Sequence, residues 1–120
     1  SRVSSIPSRN FQRATGLTTI NLDNITSIKQ SAFEECYSLS AITIPATMEY
    51  IEAYAFYKCR GLQSITCLGT TPPQLRMYGQ AKGWFDMSTC PIYVPSSAVE
   101  TYKAAQYWSE YSDRIQAIQS

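Results

Sequence analysis

Apolar positions along the chain return at a fixed interval. Leu17, Leu39 and Leu62 stand 22 and then 23 residues apart; Ile20, Ile42 and Ile65 keep the same two intervals, as do Leu22, Ile44 and Cys67. The second half of the unit agrees: Ile25 with Met48, Ile28 with Ile51, Ala32-Phe33 with Ala55-Phe56, and Cys36 with Cys59. Stepping back by 22, Val3, Ile6, Phe11 and Ala14 precede Ile25, Ile28, Phe33 and Cys36. The unit therefore reads Leu-x-x-Ile-x-Ile, then apolar-x-x-Ile-x-x-x-Ala-Phe-x-x-Cys. Agreement at this many offsets identifies an internal repeat, and a start inside a unit implies a longer array before it.

The local pattern says what each unit builds. Ile20 and Leu22, Ile42 and Ile44, and Ile65 and Cys67 alternate with polar or small residues, the period of a strand with one buried face. Such short strands are stable only when stacked on their neighbours as a parallel ladder. Strands are predicted near 18–22, 40–44, 63–67 and 91–94, with Phe11, Phe33, Phe56 and Phe85 in one buried column. Arg13, Glu35 and Lys58 are equivalent positions of alternating sign, as are Lys29 and Glu52, so each set is expected to pair across coils.

The last unit departs from the others. Leu22 to Phe33 is 11 residues and Ile44 to Phe56 is 12, but Cys67 to Phe85 is 18. The extra residues, with Gly69, Pro72, Pro73, Gly79 and Gly83, read as a loop. It carries Met77, Tyr78 and Trp84, which either cover the end of the core or form an aromatic contact site. Ile92-Tyr93-Val94 is the last strand predicted, stopped by Pro95. Ser97 and Glu100 have capping-box spacing, so a helix is predicted over 98–107. Val99, Tyr102 and Ala105 share its apolar face. Trp108, Tyr111, Ile115 and Ile118 predict a second short helical or extended piece that folds back. The divisions expected are a partial repeat 1–16, repeats 17–38 and 39–61, a degenerate terminal repeat 62–95, and a capping segment 96–120.

These units resemble the BspA-like, or Treponema-type, leucine-rich repeat, whose pattern is Leu-x-x-Ile-x-Ile-Pro, apolar-x-x-Ile, Ala-Phe-x-x-Cys. Pro45 sits where that family has Pro; Asp23 replaces it in the preceding unit, and Lys29 and Glu52 stand where Gly is common. The segment from Cys67 to Pro95 looks like the degenerate last repeat of such proteins. The resemblance implies a right-handed solenoid of the α/β class, with short parallel strands, an irregular or β-rich convex side and a C-terminal helical cap. It also implies a secreted or cell-surface bacterial protein that adheres to or binds other proteins.

Composition narrows the chemistry. Ten Lys+Arg against nine Asp+Glu give a net charge of +1 in 120 residues, a poor match to nucleic acid or an anionic membrane. No apolar run reaches the roughly 20 residues of a membrane span. The chain has no histidine, the commonest metal ligand and neutral-pH general base, so no metal, cofactor or catalytic residue is assigned. No motif sets a Ser beside a Lys as a dyad, and the carboxylates Glu34-Glu35 and Glu49 with Glu52 project from the convex side. Cys36, Cys59 and Cys67 read as buried free thiols acting as small hydrophobes. Cys90 is loop-borne, and Cys67–Cys90 is the pair that would bridge if any did. Asn24-Ile25-Thr26 is a glycosylation sequon, a tripeptide common by chance.

The candidate binding surface is the outward row of the strand ladder: Thr19, Asn21, Ala41, Thr43, Ser64, Thr66 and Tyr93. These side chains are mostly small, polar and rigidly held, which suits recognition of another macromolecule, a host or bacterial surface protein. A spacer that displays another domain is a second reading. A carbohydrate module using Tyr78, Trp84, Tyr50, Tyr54 or Tyr57 is a third.

Overall fold

The computed structural model describes residues 5–77, 79–80, 82–86 and 88–118; Val3 and Tyr78 lie outside them. In chain order the elements are strands β1 (Ser5–Ile6), β2 (Ser27–Ile28), β3 (Ala41–Ile44), β4 (Tyr50–Glu52), β5 (Ser64–Cys67), β6 (Gln74–Arg76) and β7 (Ile92–Val94), a 3-10 turn (Ser96–Ala98), helix α1 (Val99–Ala104), a 3-10 segment (Trp108–Arg114) and strand β8 (Ile115–Ala117). The strands form two parallel four-stranded sheets, β1-β2-β4-β6 and β3-β5-β7-β8. The chain passes back and forth between them, because each repeat has two short apolar stretches. Register follows the repeat: Ile6 opposes Ile28, Ile28 opposes Ile51, and Ile42 opposes Ile65.

The Ala-Phe half of each unit is a run of tight turns. In the second coil Ala32 N–H donates to Lys29, Glu34 to Ser31 and Cys36 to Phe33, all within the coil. The intervening amides point along the stack. Ser31, Phe33 and Glu35 donate to the carbonyls of Ala53, Ala55 and Tyr57 in the next coil at 2.8–3.1 Å. Arg9, Phe11 and Arg13 do the same toward Gln30, Ala32 and Glu34. This alternation needs positive φ two residues before and two after each Phe: Arg9 and Arg13, Ser31 and Glu35, Tyr54 and Lys58. Non-glycine residues adopt that conformation at a cost of about 1–2 kcal/mol each, which the cross-coil bonds offset. In the last coil the residue two before Phe85 is Gly83, with φ 98°.

The phenylalanines form one column. Ring centroids of Phe11, Phe33, Phe56 and Phe85 are separated by 5.2, 5.2 and 5.8 Å, with interplanar angles of 9° or less. Phe33, Phe56 and Phe85 are fully buried; Phe11, at the end of the column, is half-buried.

Four expectations are corrected. Residues 18–22 do not form a ladder strand. Thr18 accepts one bond from Ser40 N–H, but the Asn21 side chain captures the Asp23 amide at 2.8 Å, a local turn that competes with strand pairing. The stretch read as a loop contains β6, because Leu75 is buried opposite Ile51 and continues the apolar row of its sheet. The helix covers only Val99–Ala104: Ala105 is extended and Tyr107 has φ 67°. The capping box is not made; Pro95 carbonyl accepts Ala98 N–H instead, so the helix is entered through a backbone turn with no side-chain cap.

Residues 96–118 close the end of the stack, with β8 pairing along β7. Tyr102, Trp108 and Tyr111 are buried, and each sends a polar group to the last coil. Tyr102 hydroxyl donates to Gly69 carbonyl (2.7 Å), Trp108 Nε1 to Pro73 carbonyl (2.8 Å) and Tyr111 hydroxyl to Asp86 carboxylate (2.6 Å). Arg114 completes the closure: Nε donates to Cys90 carbonyl (2.8 Å), one terminal nitrogen to Phe85 carbonyl (3.1 Å) and the other to Ser88 hydroxyl (3.1 Å). Its planar fork reaches acceptors that have no further coil to bond.

Three outcomes follow. Phe33→Ala or Phe56→Ala should cost about 3–5 kcal/mol by urea unfolding, against roughly 1–2 kcal/mol for half-buried Phe11→Ala; equal losses at all three would contradict the column. Arg114→Ala should cost about 2–3 kcal/mol, with Arg114→Lys recovering little because an ammonium lacks the fork. Deletion of residues 96–120 should give insoluble or oligomeric protein, whereas a soluble, cooperatively folding 1–95 fragment would show that the closing role is wrong.

Candidate functional site

The outward row of the β3-β5-β7-β8 sheet is set by register. Thr43 opposes Thr66, Thr66 opposes Tyr93, and Tyr93 opposes Gln116; Ala41 opposes Ser64. Ala41 and Thr43 are exposed, while Ser64, Thr66 and Tyr93 are half-buried. Thr19 and Asn21 are exposed and lie at the edge of the row, outside the ladder. With Thr43 and Asp23 they line a shallow hollow of about 370 Å³. The structure thus brings Thr43, Thr66 and Tyr93 into one line and Thr19 and Asn21 beside its end. Gln116 was missed by the sequence reading, although the apolar spacing of Ile115 and Ile118 marked the segment.

The aromatic candidates are arranged differently. Trp84 is fully buried; its Nε1 donates to Arg76 carbonyl at 3.1 Å and its ring packs 5.0 Å from Tyr107. It closes the core and offers no surface, which corrects its place as a contact candidate. Tyr78 lies outside the described residues. Met77 is exposed, and its sulfur accepts the Tyr107 hydroxyl. Tyr54 and Tyr57 pack on each other at 4.8 Å and cover Gly83, whose backbone approach leaves only 3.4 Å to both rings for an added Cβ. Tyr50 lies within reach of two cations, Lys29 and Arg76.

The family model for the BspA type leucine rich repeat region (6 copies) matches residues 1–80. The chain belongs to the BspA-type leucine-rich repeat family. No curated protein matches it. Its repeat pattern accounts for the two strands and the Ala-Phe turn of each coil, while the closing segment lies beyond the matched residues.

Ionic chemistry on the BspA-type coils is structural. Glu35 takes Arg13 Nε at 2.8 Å and Lys58 Nζ at 3.8 Å, and the Arg13 hydrogen bond holds its carboxyl below the usual range. Glu34 accepts Gln12 Nε2. The expected Lys29–Glu52 pair is not made: Lys29 donates to Tyr50 hydroxyl and Glu52 accepts the Gln30 amide at 3.0 Å. Among the described residues no three His, Cys, Asp or Glu side chains gather as a metal set, and no helix is long and apolar enough to cross a membrane.

The repeat cysteines do more than fill space. Cys36 and Cys59 thiols donate to the Phe11 and Phe33 carbonyls of the preceding coil, both at 3.1 Å. All four cysteines are free and buried, Cys90 included. Burial pushes the Cys67 thiol up to about 12; the hydrogen bond with Cys36, and burial, push Cys59 up as well. Thiolate is the reactive form. At pH 8 the native protein should therefore resist iodoacetamide at Cys59 and Cys67, while unreduced, denatured protein should take four labels by mass. Fewer than four would reveal a bridge, and fast native labelling at Cys67 would contradict the burial.

Proposed function

We propose that the chain is a right-handed leucine-rich repeat solenoid serving as a non-catalytic interaction or adhesion module of a secreted or cell-surface bacterial protein. Its ligand is a host or bacterial surface protein. It binds through Thr19, Asn21, Ala41, Thr43, Ser64, Thr66 and Tyr93, with Gln116 extending the row. The observation that carries this reading is the line Thr43–Thr66–Tyr93–Gln116, fixed by ladder register rather than by loops. Rigid polar side chains bind with little ordering cost. Membership of a family whose members are typically non-catalytic interaction modules supports the same reading.

Capture of the full chain by a panel of immobilised extracellular-matrix and bacterial surface proteins tests it. Thr43→Arg or Thr66→Arg should abolish capture of the responding protein with unfolding unchanged, while Ser109→Arg, on the closing segment, should leave it intact. Capture insensitive to both ladder variants would overturn the assignment of the face. No capture by any member of the panel, with a response on a glycan array, would favour the carbohydrate reading; silence in both would favour a spacer.

A further inference from the structure

On the other sheet, three polar side chains meet without an ion pair. Register sets Tyr50 of β4 between Ser27 of β2 and Gln74 of β6, and Glu52 opposite Arg76. Lys29, directly after β2, donates through Nζ to the Tyr50 hydroxyl oxygen and lies 4.8 Å from the centre of its ring. The Arg76 guanidinium carbon sits 3.7 Å from the same ring centre. Its Nε donates to Gln74 Oε1 at 2.7 Å, which orients the fork and makes its two terminal nitrogens the remaining donors.

The charges do not cancel as sequence pairing suggests. Among the described residues the ion pairs join Arg13 and Lys58 to Glu35, and Lys82 to Glu110; neither Lys29 nor Arg76 takes part. Glu52, the nearby carboxylate opposite Arg76, turns to the Gln30 amide; its attraction for Lys29 exceeds the repulsion from Arg76, but one carboxylate against two cations leaves the group net positive. Arg76 and Lys29 repel each other across the tyrosine. Cation–π attraction holds each near the ring. The Tyr50 hydroxyl oxygen accepts from Lys29 and is also hydrogen-bonded to the Ser27 side chain, which fixes the ring. Lys29 and Tyr50 are half-buried and Arg76 is exposed, so the group is open to solvent yet held in place.

We propose that Lys29, Tyr50 and Arg76 form a binding subsite for a tetrahedral oxyanion, a sulfate or phosphate group taken free or as an ester on a carbohydrate. An anion bound beside the ring attracts both cations and offsets their net positive charge. An ammonium and the two terminal nitrogens of a guanidinium fork arrive from different directions, which suits a group with three accessible oxygens better than a planar carboxylate. The subsite lies on the sheet opposite the proposed protein-binding row, so it stands or falls independently of that reading.

The test follows the Tyr50 ring and Arg76 side-chain NMR signals of the full chain. Titrants are sodium sulfate, sodium phosphate, sodium chloride at matched ionic strength, and a heparin-derived sulfated tetrasaccharide with its desulfated counterpart. Sulfate, phosphate or the sulfated sugar should give saturable shifts, and chloride and the desulfated sugar none. Lys29→Gln and Arg76→Gln should each weaken binding about tenfold or more. Tyr50→Phe, which keeps the ring and loses the oxygen that positions Lys29, should weaken it roughly three- to tenfold. Arg60→Gln, whose cation lies over Tyr37 instead, should change nothing. Tighter binding of the tetrasaccharide than of inorganic sulfate assigns a glycan ester; binding of the inorganic ions alone assigns a free anion. The proposal is overturned by non-saturable shifts, by equal losses in Arg60→Gln, or by an acidic peptide that binds there without competition from sulfate. If a variant fails to fold, the sulfate-against-chloride comparison on the wild-type chain still decides.

Discussion

The structure depends on amides that leave their own coil. At the Phe11 and Phe33 turns three alternate N–H groups, and at the Phe56 turn two, point along the stack to carbonyls of the next coil, while intervening ones close turns within the coil. Positive φ two residues before and two after Phe11, Phe33 and Phe56 allows this alternation. Neither set of bonds is sufficient alone: without the neighbouring coil the alternate donors lose their partners, and an amide left buried and unpaired costs about 1–3 kcal/mol. Coil spacing is thereby fixed, and the Phe rings, the Cys thiols and the strand registers inherit it. The thiols show the dependence well. Cys36 and Cys59 each reach back to a Phe carbonyl of the coil before, a contact that exists only at this separation.

A stack of this kind is polar along its length, so its last coil needs different chemistry from the others. Residues 96–118 supply it with side chains instead of a further coil: Tyr111 accepts the Phe85 amide, and Arg114 donates to the Phe85 and Cys90 carbonyls. Aromatic residues suit this position because each buries a large apolar body while its hydroxyl or indole N–H reaches a backbone carbonyl. The same regular spacing organises the surface. On one sheet it lines up Thr43, Thr66, Tyr93 and Gln116; on the other it sets Tyr50 between Lys29 and Arg76.

Much of this was legible in the chain because it is written several times. The Phe column, the buried Cys positions, the registers of β3 and β5 and the Arg13–Glu35–Lys58 stack all follow from equivalent positions. What escaped was what occurs once or is decided by side-chain competition. The Asn21 carboxamide took the Asp23 amide, and residues 18–22 formed no strand; Pro95 carbonyl, not Ser97, closed the turn before α1. Leu75 made a strand inside a stretch that Gly and Pro marked as loop. Lys29 chose a phenol over the carboxylate that the repeat register offered. Arg114 left no pattern, since its partners are backbone carbonyls of a loop some 25 residues away. For the binding surface, sequence supplied the row of strand residues and left Trp84 between covering the core and forming a contact site; its indole plugs the core.

The most direct measurement is native-state amide hydrogen exchange. If inter-coil bonds from the Ala-Phe turns hold the stack together, the N–H groups of Phe33, Glu35, Phe56 and Lys58 should exchange only through global unfolding, with protection equal to that of the strand residues Ile42 and Ile65. Exchange of those turn amides at the rate of exposed loops, while the strands stay protected, would show that the sheets stand without the turns and would contradict the account.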